Sequence, residues 1–420
     1  MKRIATVVAL AALAGVGMTN TARAQLVMQM GNNWNLELSG NVNAFYVEQW
    51  GPTAGAAVNG SAVANGAGLS ANIRTGLLPA DINFAAKGHE GNLDIGVFFG
   101  FYPQVQNGPG VDGGVGNGHD QFGAQIDMRQ VFLTVGNASW GQIEVGRDLG
   151  LWQRQNILND ATLFGVGATG GNVGAGGTTL GRIGFGYIYP NFESQITYST
   201  PAGKPLHWLI GVFQPSEVGA SSANGTVAAG DAYPYVPYPR LESELTWTGG
   251  TTHKVLLWVN GSWEHARSAP VGDSTSLSVD AGGLGAGGKF DVGALSIVGS
   301  GYWGRAVGTT LQFLPISTDL NGSPRSSYGY IGQLTWKVGP KVSLVGSYGE
   351  SFMDGTNFDK TADAGYPNLL KYNSLGVGGF VYQWTKSVKY VIEYGYDAAA
   401  NTSGGKDISN SLSTGFMLFF

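Results

Sequence analysis

Alternation at every second residue governs this chain. Tyr328, Tyr330, Gly332, Leu334, Trp336 and Val338 form one stripe, with Gly329, Ile331, Gln333, Thr335 and Lys337 between them. Val388, Tyr390, Ile392, Tyr394 and Tyr396 form a second, interleaved with Lys389, Glu393 and Gly395. Val255, Leu257, Val259, Gly261 and Trp263 form a third, and Trp34, Leu36, Leu38, Gly40 and Val42 a fourth. A period of two belongs to extended strands, whose successive side chains point to opposite faces. One face is apolar and the other accepts Glu, Lys, Asn and Gly, over segments about as long as a tilted membrane strand of ~9 to 11 residues.

The separators come in two sizes that alternate. Lys87 to Gly91, Ala202 to Pro205, Gly249 to Thr252, Asp291 to Ala294, Gly339 to Lys341 and Thr385 to Ser387 are short. Stretches of about 48–70, 104–124, 149–189, 216–239 and 307–326 are long. Short turns on one side and long loops on the other define a meander of hairpins, and that predicts an all-β, antiparallel, up-and-down transmembrane barrel. Sixteen strands are expected, at about 34–47, 71–86, 92–103, 125–136, 140–148, 190–200, 206–215, 240–248, 253–264, 277–290, 295–306, 326–338, 341–351, 372–384, 388–397 and 410–420. An even total puts both ends of the barrel on one side, the periplasmic side for an exported chain.

The two ends of the chain agree. Residues 1–24 have a basic start in Lys2 and Arg3, an apolar run from Ile4 to Met18, and Ala22-Arg23-Ala24 as a small-x-small cleavage site. That is the layout of a secretory signal peptide, which leaves residues 25–420 as one barrel domain. At the other end Leu412, Thr414, Phe416, Leu418 and Phe420 share one face of a final strand that needs an apolar surface to lie against.

Composition excludes the alternatives. Gly contributes 69 residues but in no three-residue period, so the chain is not collagen-like. Aromatics at 11% argue against disorder. There is no Cys, so no disulfide framework is available to an exported protein. Removing Lys2, Arg3 and Arg23 leaves 20 basic against 28 acidic residues, a mature charge of −8, which is no footprint for nucleic acid. Gly283 to Lys289 nearly spells a phosphate-binding loop, but Phe290 stands where Ser or Thr must ligate magnesium. The five histidines lie at no metal-ligand spacing, and Glu264-His265 has no nucleophile beside it. Neither an enzyme, a metal nor a cofactor is expected.

Charged residues fall in a pattern. Lys87, Lys204, Lys254, Lys289, Lys337, Lys341, Lys386 and Lys389 lie beside the short turns, where they reach water. Arg74, Arg129, Arg182, Arg240 and Arg305 lie in or at the edges of strands, while Arg147 and Arg154 flank the start of a long loop. An Arg facing lipid at mid-depth costs ~2 to 4 kcal/mol, so the strand arginines are expected to face a wet lumen. Lumen carboxylates such as Glu144, Glu242, Glu244 and Glu264 oppose them in setting ion preference.

The stretch Met128-Arg129-Gln130-Val131-Phe132-Leu133-Thr134-Val135, followed by Trp140-Gly141-Gln142-Ile143-Glu144-Val145-Gly146-Arg147-Asp148-Leu149-Gly150, resembles the strand-turn-strand leading into the third loop of Gram-negative general porins. Ile196 to Pro201 resembles the strand that follows that loop. The resemblance implies a homotrimer in the outer membrane, surrounded by lipid and lipopolysaccharide, whose terminal Phe420 is read by the assembly machinery. It implies a third loop folded into a water-filled pore that passes ions and small hydrophilic solutes by passive diffusion. Carried over residue by residue, Arg129 matches a wall arginine of the constriction and Arg147 the Arg of the Gly-Arg motif at the loop's start. Arg182 and Arg74 are further basic members, and Asp148 and Asp160 are the acidic candidates. The family's acidic-aromatic-glycine signature is replaced by a Gly-rich run from Gly165 to Gly181. The alternative is a substrate-specific channel of the same architecture, for a sugar, carboxylate or phosphate.

Overall fold

The computed structural model describes residues 26–31, 33–52, 55–63, 69–105, 126–169, 178–221, 235–251, 253–267, 278–313 and 316–420. The expected signal segment, residues 1–24, lies outside them. The strands are β1 (Leu26–Gln29), β2 (Asn35–Trp50), β3 (Leu69–Arg74), β4 (Asp81–Glu90), β5 (Leu93–Pro103), β6 (Ile126–Asn137), β7 (Gly141–Leu149), β8 (Phe192–Ser199) and β9 (Leu206–Phe213). They continue as β10 (Arg240–Gly249), β11 (Lys254–Arg267), β12 (Ser278–Val292), β13 (Leu295–Arg305), β14 (Ser326–Lys337), β15 (Val342–Asp354), β16 (Leu370–Gln383), β17 (Val388–Asn401) and β18 (Lys406–Phe419). Two short helices sit between strands, α1 (Arg154–Leu158) and α2 (Asn357–Ala362).

From β4 to β18 each strand pairs antiparallel with its sequence neighbours, and β18 closes on β2 in a register running from Asn410↔Trp50 to Phe419↔Asn41. Lipid offers no hydrogen bonds to an open strand edge, so closure is what lets a sheet cross a membrane. Phe420 extends the closing ladder: its N–H donates to the Gly40 carbonyl at 3.0 Å, and its carbonyl accepts from the Gly40 N–H at 2.9 Å. The outer face carries exposed apolar groups in strict alternation, among them Leu334 and Trp336 on β14 and Leu412, Phe416 and Leu418 on β18.

The barrel has sixteen staves. β3 and β4 stand end to end against β2, β3 on Phe45 to Trp50 and β4 on Asn35 to Asn41, and together they form one stave. The sequence predicts a single strand over 71–86, and the structure breaks it at residues 75–80. Pro79 has no N–H to give to a ladder. β2 fills the gap with side chains: Asn43 accepts from the Gly76 N–H and donates to the Leu78 carbonyl, both at 2.9 Å, and Asn41 donates to the Pro79 carbonyl at 2.9 Å. The short β1, paired with Asn35 to Leu38 of β2, is a further addition to the expected order.

The core of such a barrel lies inside it. Phe45, Val391 and Met417 on inward positions of the wall pack against Leu163, Val166 and Leu180 from the long segment between β7 and β8.

Candidate permeation path

The described parts of that segment, residues 150–169 and 178–191, are folded into the lumen; Leu151, Trp152, Val166, Tyr187 and Ile188 are at most 1% exposed. Inward side chains of strands around the wall hold it. Glu242 of β10 accepts from the Leu151 and Trp152 N–H groups at 2.7 and 2.9 Å. Two residues further on, Glu244 accepts from Arg154 Nη2 of α1 at 2.7 Å and from Gln155 at 3.0 Å. Gln333 of β14 accepts from the Ala161 N–H at 2.6 Å and donates to the Asn159 carbonyl at 2.9 Å. Ser351 of β15 accepts from the Gly186 N–H at 2.8 Å, and Glu393 of β17 from the N–H groups of Val166 and Gly167. Buried backbone donors must find acceptors, and here alternate wall positions supply them.

The described glycines at the two ends of the Gly-rich run follow from these contacts. A Cβ at Gly165 would meet the Glu393 carboxylate, and Gly181, at φ +57°, would press one into Leu77. Glycine lets the backbone come close enough to be gripped by the wall.

The structure brings together two of the six residues expected at the constriction, and it does so inside the loop. Asp160 accepts from Arg182 N at 3.1 Å, from the Tyr187 hydroxyl at 2.7 Å, and from the Thr162 N–H and hydroxyl at 2.9 and 2.8 Å. The Arg182 guanidinium is fully buried and reaches the wall, donating to Ser347 Oγ at 3.0 Å through Nε and to the Leu375 carbonyl at 3.1 Å through Nη1. Both are scaffold groups of the loop, and Arg182 is not the solvated lumen arginine that the sequence suggests. Arg74 donates to the Thr169 and Thr178 carbonyls at 3.2 and 3.0 Å, on either side of residues 170–177.

Arg129 sits at a register shift where Gly100 opposes Gln130 and Phe101 opposes Met128. Its guanidinium lies 5.6 Å from the Tyr102 ring centre and 5.8 Å from that of Phe192, and Nε bonds Asp127 at 2.8 Å. Asp148 accepts from Gln130 at 2.5 Å on the inward series of β7. Arg147 falls on the opposite series: it pairs with Val131 and Ser194 and shares its face with the outward Ile143 and Val145. One residue of register therefore separates Arg147 from Asp148 by the thickness of the wall.

Two charge groups were not assembled from the sequence, although Glu242, Glu244 and Glu264 were placed in the lumen. Glu244 opposes Arg154 of the loop, with Glu144 and Asp148 on the inward series of β7 nearby. Wall carboxylates facing a loop arginine are the reverse of the acidic loop and basic wall that the resemblance implies. Higher up, Arg240 is fully buried among carboxylates, paired with Glu193, with Glu242 at 2.9 Å and with Glu264 at 3.9 Å, between the rings of Phe213 and Phe313. The spacing Arg240-x-Glu242-x-Glu244, all on one face of a strand, is the signal for both groups.

At the long-loop end, Arg325 clasps Asp359 of α2 through two hydrogen bonds of 2.8 and 2.7 Å, with both side chains buried. Burial favours the neutral acid, but the Arg325 hydrogen bonds and charge outweigh it and hold the Asp359 carboxyl below its ordinary value.

A closed sixteen-stave barrel with a long loop anchored inside it is the fold of the Gram-negative outer-membrane porins. Among solved structures, the outer membrane channel DcaP of Acinetobacter baumannii matches with a TM-score of 0.66 at 14% identity, over 94% of this chain and 99% of that one. The anion-selective porin from Comamonas acidovorans matches with a TM-score of 0.57 at 12% identity, over 92% and 100%. OmpF of Salmonella typhi, in complex with daunomycin, matches with a TM-score of 0.54 at 12% identity, over 94% and 100%. At such identities the likeness is one of fold. No protein-family model and no curated protein matches the sequence.

Proposed function

We propose that this protein is a porin: a water-filled outer-membrane channel for passive diffusion of ions and small hydrophilic solutes, exported by its N-terminal signal segment. The observation that carries this reading is the inserted loop, held inside the barrel by Glu242, Glu244, Gln333 and Glu393, which narrows the lumen. Partly exposed charges such as Arg154 and Arg129 then stand beside a narrow passage, where they order water and favour polar solutes over apolar ones. The proposal includes a homotrimer set in lipid and lipopolysaccharide, with Phe420 as the recognition end for assembly.

Single-channel recording in a planar bilayer under a salt gradient tests it. Long-lived openings in steps of three are expected; a folded barrel that conducts nothing would overturn the reading. A second reading, a substrate-specific channel for a sugar, carboxylate or phosphate, is favoured by the ring pair Phe98 and Phe132, stacked at 5.2 Å on the inward positions of β5 and β6. Current that saturates with, or is blocked by, one such solute would select it.

A further inference from the structure

We propose that the inserted loop is a strap across the seam of the barrel: residues 164–169 hold β17, β18 and β2 at once, and the pairing of β18 with β2 loosens when they let go. The inference rests on the fold and holds whether or not the barrel conducts.

The seam joins the two paired strands that lie furthest apart in the chain, in a register from Asn410↔Trp50 to Phe419↔Asn41. The strap reaches both sides of it. On one side, Glu393 of β17 accepts from the N–H groups of Val166 and Gly167, and the Phe164 ring meets that of Phe419 on β18 edge to face at 6.0 Å. Lys389 of β17 completes that contact, its Nζ lying 3.7 Å from the centre of the Phe164 ring and 5.2 Å from that of Phe419. On the other side, the Thr169 hydroxyl donates to Gln49 Oε1 of β2 at 2.6 Å. Val166 packs in one apolar cluster with Phe45 of β2 and Met417 of β18, directly behind the seam. Beyond β2, the loop also bonds the break between β3 and β4: the Leu77 N–H donates to the Gly165 carbonyl at 2.9 Å, and the Thr179 N–H to the Gly76 carbonyl at 3.3 Å.

Alternation makes this grip possible, because Lys389, Glu393, Met417, Phe419, Phe45 and Gln49 all belong to the inward series of their strands. The strap comes from mid-chain, 227 residues before Glu393 at Val166 and 120 after Gln49 at Thr169. Pairing β18 with β2 directly closes one far longer loop, at a greater cost in chain entropy. Bound to both, the strap sets the two strands side by side before they pair and resists their parting afterwards. In lipid a parted seam bares N–H and C=O groups that find no other partner. Gln333 and Glu244 hold the same loop to β14 and β10, away from the seam, and so do not share this role.

Hydrogen exchange of the full-length barrel in detergent, read by mass spectrometry, tests the strap. Phe164→Ala combined with Thr169→Val removes one contact on each side of the seam and leaves the wall untouched. Exchange in residues 41–50 and 410–419 should then rise about ten-fold, while residues 254–267 of β11 keep their protection. Gln333→Ala, which frees the same loop from β14, should leave the seam as it was. Unchanged exchange at the seam in the double variant overturns the strap. So does a rise of equal size along every strand, or a seam that opens as far in Gln333→Ala. If the double variant does not fold, the unmodified protein in rising urea decides: amides of residues 164–169 and of the seam should lose protection together, and a strap that opens while the seam stays protected overturns the proposal.

Discussion

At the scale of single residues, arginines of one chemistry divide into two kinds by what surrounds them. Arg182 joins loop to wall with every guanidinium nitrogen engaged, through Ser347 and the Leu375 carbonyl. Arg182→Ala leaves those acceptors dry and should cost about 2 to 4 kcal/mol, read as a lower urea midpoint in detergent and as new protease cleavage in residues 150–191. Lysine should not rescue it, since a single ammonium cannot reproduce the planar fork. Arg129 lies on the rings of Tyr102 and Phe192 and bonds a carboxylate that is 47% exposed. Arg129→Gln should destabilise the barrel less than Arg182→Ala, read as a higher urea midpoint, and shift the reversal potential toward cations. The sequence distinguished neither role, because both residues are arginines in a Gly- and aromatic-rich setting and only the fold decides what meets each guanidinium.

At the scale of elements, the alternation decides which side chains meet lipid. Leu334 is 44% exposed on the outer wall, and Ile392 shares the outward series of β17 with Tyr394 and Tyr396. Leu334→Arg and Ile392→Arg should each cost ~2 to 4 kcal/mol near the bilayer midplane and reduce the fraction of heat-modifiable barrel on electrophoresis. Normal assembly of both would reverse the assignment of inside and outside. The strand positions were legible because a period of two is a local property. The break between β3 and β4 was not, because the side-chain hydrogen-bond partners that make it tolerable come from Asn41 and Asn43, more than thirty residues away in the chain.

At the scale of the whole molecule, the long loops are tied to one another. The Arg325 and Asp359 clasp joins the segment before β14 to α2, and Arg325 also donates to the Ser221 and Thr318 carbonyls at 2.9 Å each. Because the folded carboxyl titrates below its unfolded value, the clasp contributes fully above about pH 4 and is lost as pH falls through the lower, folded value. Acidification to about pH 2 should therefore raise hydrogen exchange at α2, and Asp359→Asn should show that higher exchange already at pH 7. The trimer is tested at this scale too: native electrophoresis or mass photometry in detergent should give a species of three times the barrel mass, and a monomer that still conducts would remove the trimer without removing the channel.

The sequence by itself determined the barrel: strand number, inside and outside, short and long ends, and the closing strand. Those follow from periodicity and turn chemistry, which act between near neighbours. It also placed charge in the lumen, since lipid forbids it outside. What only the tertiary structure decided is the partner of each charge. Asp160 turned inward on its own loop, Arg147 fell one residue out of register with Asp148, and Glu244 met Arg154 across the lumen, because each pairing depends on how a long loop is seated against strands distant in sequence.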